Sequence, residues 1–227
     1  MHKFISIVSL LTLLQTFTLN GYVIAQTPTE NISRISRGIN DAIQEVVTAK
    51  WMTNFADGKF YPERLISRAE LAVIMVKAFG LDKRTVKPEN LVIPDVPTSH
   101  WAYREIQLVL KTDIMRGYRD NMFFPNQRIN RAEALAIFAQ AYGVFQFPED
   151  TVTELLLPYP DAKNIPSWGR KAIATVVAEG FVNTDDKGNL LPLQPMTRGD
   201  MAFVLSQYLQ RKQRQPDTPI APDAPQQ

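Results

Sequence analysis

The stretch Phe123-Phe124-Pro125-Asn126-Gln127-Arg128-Ile129-Asn130-Arg131-Ala132-Glu133 decides the fold, because its pattern occurs three times in the chain. Ile66-Ser67-Arg68-Ala69-Glu70 and Met196-Thr197-Arg198-Gly199-Asp200 match its last five residues, with successive arginines 63 and 67 positions apart. The register extends upstream, since Pro62, Pro125 and Pro192 stand six residues before the arginine and Phe60, Phe123 and Leu190 stand eight before it. Self-similarity at a steady period marks a repeat architecture, in which each unit buries its apolar face against its neighbours.

Each copy reads as a helix start. Ser67, Asn130 and Thr197 are good N-cap residues, and Glu70, Glu133 and Asp200 fall at N3, where a carboxylate reaches back to the cap N–H and meets the positive helix end. Apolar residues then follow at helical spacing: Ala72, Met75, Val76, Phe79; Leu135, Phe138, Ala139, Tyr142; Ala202, Leu205, Ser206, Leu209. Gly80 and Gly143 sit where a C′ glycine belongs.

A first helix precedes each of these. Ile43, Val46 and Val47 correspond to Ile106, Val109 and Leu110 and to Ile173, Val176 and Val177, an i, i+3, i+4 stripe. Between the helices lie Ala56-Asp57-Gly58, Arg119-Asp120-Asn121 and Asp186-Lys187-Gly188, where glycine or asparagine recurs at one aligned place and positive φ is expected. The expected fold is all-α: three helix–loop–helix repeats at about 34–80, 92–143 and 159–210. Connectors at about 81–91 and 144–158 carry proline breakers.

Composition removes several function classes. The chain has 227 residues, 45% of them hydrophobic, so a packed core is expected. A net charge of +2 offers no field to draw in nucleic acid. Without cysteine there are no disulfides, thiolate metal sites or cysteine nucleophiles, and His2 and His100 are the only histidines, so no metal or cofactor is expected. The segment from Asn183 to Gln194 imitates the start of a calcium loop, but Lys187 and Gln194 occupy ligand positions and it is rejected as a site.

Residues 1–25 read as a signal peptide: Lys3, an apolar run from Phe4 to Leu14, and Val23-Ile24-Ala25 before the cleavage point. The mature chain is expected to be exported to the periplasm, cell wall or cell surface, with no transmembrane span after cleavage. Residues 26–210 form the domain. Residues 211–227 read as a Pro/Gln-rich disordered tail, with Pro216, Pro219, Pro222 and Pro225 at the polyproline II period.

The middle repeat, with Pro94-Asp95-Val96-Pro97-Thr98-Ser99-His100-Trp101-Ala102, then Gly117-Tyr118-Arg119-Asp120-Asn121-Met122-Phe123-Phe124-Pro125 and Ile129-Asn130-Arg131-Ala132-Glu133, resembles a complete S-layer homology (SLH) motif. The third repeat keeps Tyr159-Pro160-Asp161, Trp168 and the helix start; the first keeps Asp57-Gly58-Lys59-Phe60 and Ser67-Arg68-Ala69-Glu70. The resemblance spans about residues 34–210. It implies a pseudo-threefold helix bundle whose inter-repeat grooves bind a cell-wall polysaccharide, anionic or pyruvylated; the chain length and the signal peptide add the expectation of a stand-alone exported protein.

Six residues are the candidate ligand contacts, Arg131, Trp101, Arg68, Arg198, Trp168 and Asp95, and each has a structural alternative: the arginines tying down the preceding loop, the tryptophans packing on the core, and Asp95 accepting in a turn or cap. Arginine at N1 adds to an already positive helix end, a cost that an anionic sugar would reverse through the guanidinium fork. An indole offers a flat plate for a sugar face. Arg131 is the leading candidate, because it shares the fullest repeat with Trp101. The first repeat lacks the Asp-Val-Pro-x-x-His-Trp segment and the third has Thr184-Asp185 in place of Gly117-Tyr118, so inequivalent grooves are expected. No catalytic residues are expected. The alternative function is an envelope structural or adaptor protein that binds another protein through the repeats or the tail.

Overall fold

The structure, a computed structural model, describes residues 28–214. The expected signal peptide and residues 215–227 lie outside the described residues. Seven helices follow in order: α1 Pro28–Thr48, α2 Arg68–Phe79, α3 Tyr103–Lys111, α4 Arg131–Tyr142, α5 Glu149–Leu156, α6 Arg170–Ala178 and α7 Arg198–Arg214. Helix α7 runs four residues past the expected start of the tail.

The three second helices, α2, α4 and α7, start as the sequence dictates. Ser67 and Asn130 each make a reciprocal capping box with Glu70 and Glu133. Thr197 accepts from the Asp200 N–H through its hydroxyl, while its own N–H donates to the Asp200 carboxylate. Gly80 is left-handed at φ 60°, and its N–H returns to the Val76 carbonyl.

A free helix end leaves further N–H groups unpaired, and here the next repeat supplies their acceptors. In α2 the Arg68 and Ala69 N–H groups donate to Gln127 and Pro125 of repeat two. In α4 the Arg131 and Ala132 groups donate to Gln194 and Pro192 of repeat three. In α7 the Arg198 and Gly199 groups donate to Arg64 and Pro62 of repeat one, which closes the ring. Short antiparallel bridges, Leu65 with Thr197, Ser67 with Arg128 and Asn130 with Pro195, tie the three helix starts together.

Helix packing follows the same cyclic order. Helix α2 packs on α3, α4 on α6, and α7 on α1. The second helices meet in an aromatic cluster in which Tyr208 lies 4.9 Å from Phe79 and 5.7 Å from Phe138. Ala72, Met75, Leu135, Phe138, Ala202 and Leu205 are fully buried around it.

The loops hold the expected positive φ at Gly58, Asn121 and Gly188. A second set was not foreseen: Tyr61, Phe124 and Leu191, each directly before the aligned proline, sit at φ 53°, 55° and 54°. Two aspartates brace these loops. The Asp95 carboxylate accepts from the Phe123 and Phe124 N–H groups, and Asp161 accepts from those of Leu190 and Leu191.

Two elements depart from the expected plan. The connector at 144–158 contains α5, which follows Pro148, carries Glu149 and Asp150 in its first turn, and buries Val152 and Leu156. Proline before two acids starts a helix there, because the missing N–H and the negative charges both suit a helix N-terminus. In repeat one, the place of the Asp-Val-Pro-x-x-His-Trp turn is taken by the 21-residue helix α1, which pairs with the 17-residue α7. Gln210 and Ser206 of α7 both donate to the Glu45 carboxylate of α1.

Candidate ligand grooves

Each aligned arginine reaches across to the next repeat. Arg68 donates from Nε to the Phe123 carbonyl at 2.8 Å and from Nη2 to the Arg116 carbonyl at 2.7 Å. Arg198 does the same to Phe60 and Thr53 at 2.9 and 2.7 Å, and Arg131 to Leu190 and Asn183 at 2.8 and 2.7 Å. All three are only 4–6% exposed. These are structural staples first: buried carbonyls of one repeat are satisfied by a cation of another, which offsets the poor placement of a cation at N1.

Three depressions open beside these staples, and every repeat contributes to each of the first two. The first, about 520 Å³, is lined by Arg68 from repeat one, Arg116, Tyr118 and Glu133 from repeat two, and Trp168 and Lys171 from repeat three. The second, about 160 Å³, is lined by Arg198, by Trp51, Phe55, Glu70 and Lys77, and by Trp101. Trp101 and Trp168 are 62% and 60% exposed, so neither is held by packing alone. Each of the two guanidinium groups lies against two aromatic rings: Arg68 is 4.7 Å from Tyr118 and 4.6 Å from Phe123, and Arg198 is 4.7 Å from Phe55 and 4.4 Å from Phe60. Burial pulls both guanidinium groups below their usual pKa, the direction expected for cations taken out of water.

The third depression, about 530 Å³, differs in kind. It holds Arg131, Asn183, Asp185 and Asp200. Arg131 pairs with Asp200 at 3.0 Å and also bonds the Asn183 side chain. Burial opposes ionisation of Asp200, yet Arg131 and the donors Asn183 and Thr197 outweigh it and hold the carboxyl below its ordinary value. Asp185 and Leu190 replace the two aromatic residues, and Gly38 of α1 stands 30 residues before Arg68, where the tryptophans stand 30 before Arg131 and Arg198.

The structure therefore brings together Arg68 with Trp168 and Arg198 with Trp101, but not Arg131 with Trp101. The pairing crosses repeats because the ring offsets each arginine by one unit from its groove. Asp95 lines none of the three depressions, since both its carboxylate oxygens hold loop N–H groups. Sequence reasoning missed Trp51, Phe55, Tyr118, Lys77 and Lys171. The aligned replacement of Tyr118 by Asp185 was a signal for Tyr118 and its counterpart Phe55 alone.

Comparison with known proteins agrees with this architecture. The model of the S-layer homology domain matches residues 32–72, 92–135 and 158–202, one segment in each repeat. The chain is similar to a cellulosome-anchoring protein of Acetivibrio thermocellus, 30% identical over 168 residues, which are 72% of this chain and 36% of that protein. It is 29% identical to the surface-layer 125 kDa protein of Lysinibacillus sphaericus, over 79% of this chain and 15% of the relative. An endoglucanase of Bacillus sp. strain KSM-635 is 26% identical over 73% of this chain and 16% of its own length. The chain thus spans about a third or less of these relatives.

Proposed function

The chain belongs to the S-layer homology family, and from that premise we propose that it anchors to the cell wall by holding a wall polysaccharide in its two tryptophan-bearing grooves. The observation that carries this reading is the pairing, twice over, of an exposed indole with a buried arginine sandwiched by aromatic rings. An indole stacks on the apolar face of a sugar, and the arginine supplies directed donors for an anionic substituent such as a carboxylate. The charge balance supports the same choice. The first groove carries Arg68, Arg116 and Lys171 against Asp113 and Glu133, and the second Arg198 and Lys77 against Glu70. The third carries Arg131 against Asp185 and Asp200 and disfavours an anion.

Binding without catalysis fits the groove carboxylates. Glu70 and Glu133 are engaged in capping boxes, Asp113 pairs with Arg116, Asp185 accepts from Lys187 and Asn189 of its own loop, and Asp200 pairs with Arg131, so each groove carboxylate already has a structural partner. The relatives named for a cellulosome anchor and a surface layer support a place outside the cytoplasm. Among the described residues, no helix is long and apolar enough to cross a membrane.

The test is co-sedimentation of the protein with purified sacculi, before and after chemical removal of the attached polysaccharide. Binding that disappears with the polysaccharide supports the proposal. Binding that survives its removal overturns it and favours a protein partner.

A further inference from the structure

The left-handed residue before each aligned proline has no backbone reason to be aromatic. Residues other than glycine, asparagine and aspartate seldom adopt positive φ, and a following proline disfavours most conformations except the extended ones. Glycine would relieve that strain, yet Tyr61 and Phe124 stand there, 45% and 40% exposed.

Both are nonetheless fixed in place. Tyr61 meets Phe55 edge-on at 5.5 Å and donates its hydroxyl proton to Asp57, and Phe124 meets Tyr118 edge-on at 5.3 Å. Phe55 and Tyr118 line the second and first grooves. Beside the second groove a further depression of about 540 Å³, lined by Phe55, Tyr61, Pro62, Glu63 and Arg64, shares Phe55 with it. The chain also contains its own control. The third repeat places Leu191 at the strained position and Asp185 at the flanking one, and its groove is the one without a tryptophan.

From this co-occurrence we infer that Tyr61 and Phe124 are platforms of an extended subsite, each receiving the next sugar unit of the polysaccharide chain whose first unit lies in the adjoining groove. The inference rests on the groove reading above. Its occupant is set by continuity: a ring leaving the second groove over Phe55 meets Tyr61, with Arg64 held 4.6 Å from the Phe55 ring at the same rim. A pre-set aromatic plate loses little freedom on binding; the same φ at Leu191 shows that the backbone shape belongs to every repeat, whereas the aromatic side chain stands only in the two beside tryptophan-bearing grooves.

The probe is the wall polysaccharide released from the cells' own sacculi by muramidase, then partially depolymerised, fractionated into fragments of one and of two repeating units, and titrated calorimetrically. The wild-type protein should bind the longer fragment at least about fivefold more tightly. In Tyr61→Gly combined with Phe124→Gly the gain with length should vanish while affinity for the shorter fragment stays within about twofold. Tyr61→Asn with Phe124→Asn, which also tolerate positive φ, should behave alike, and circular dichroism of both pairs should match wild type. Equal wild-type affinity for both lengths, a gain that survives both variant pairs, or equal loss of both fragments overturns the subsite and leaves the groove reading standing. Failure of the wild type to bind either fragment overturns both.

Discussion

Arg131 and Asp200 show how one ion pair changes the use of a site. In the other two repeats the N3 residue is glutamate and caps the helix; the shorter Asp200 also pairs with the arginine, at 3.0 Å. Arg131→Ala would leave that carboxylate without its cationic partner and the carbonyls of Leu190 and Asn183 without their arginine donor, at a cost of about 3 to 5 kcal/mol in chemical denaturation. Thr197→Ala removes only a cap and should cost about 1 kcal/mol. Because the Asp200 pKa is held below its unfolded value, the native state binds fewer protons there. Its contribution is then complete above the unfolded carboxylate pKa and lost as pH falls through the folded one. Melting temperatures measured from pH 6 down to pH 3 should accordingly fall more steeply for wild type than for Asp200→Asn. Parallel slopes would show that the pair contributes nothing to the linkage. The arginines were legible as recurrent, but not as staples, since their carbonyl partners lie 48 to 145 positions away in sequence.

At the level of elements, caps and apolar spacing were readable because both are local: N-cap, N3 carboxylate and C′ glycine all lie within one helix. Helix α5 was missed because proline was read as a breaker when its position before two acids made it a start. Gly199 is a departure that only contacts explain. It occupies the place of Ala69 and Ala132, and a Cβ there would lie 3.1 Å from the Pro62 Cβ and 3.3 Å from the Pro62 carbonyl. Gly199→Ala should therefore destabilise by about 1 to 3 kcal/mol despite the better helix propensity of alanine. Thermal melting that shows an increase would mean that the Pro62 loop yields. The loop brace predicts a similar loss for Asp95→Ala, about 2 to 3 kcal/mol for two charge-assisted hydrogen bonds to Phe123 and Phe124.

Across the whole molecule, the all-α class and three units followed from periodicity, and the inter-repeat grooves were what the family resemblance implied. The order in which repeats share their grooves depends on ring closure, which no single repeat encodes. Closure makes stability collective: without residues 159–210, α4 loses the carbonyls of Pro192 and Gln194 and α1 loses α7. Such a fragment should show no cooperative melting transition, and a sharp one would mean that two repeats suffice. The same closure puts Trp168 with Arg68 and Trp101 with Arg198, while α1 carries Gly38 in place of the third indole. The most direct measurement is calorimetric titration of muramidase-released wall polysaccharide into wild type, Trp101→Ala, Trp168→Ala and the double variant, with melting followed in parallel. The account predicts two sites per chain in wild type, one in each single variant and none in the double, all at nearly unchanged melting temperature because both indoles are largely exposed. A double variant that melts normally and still binds with wild-type affinity would contradict it.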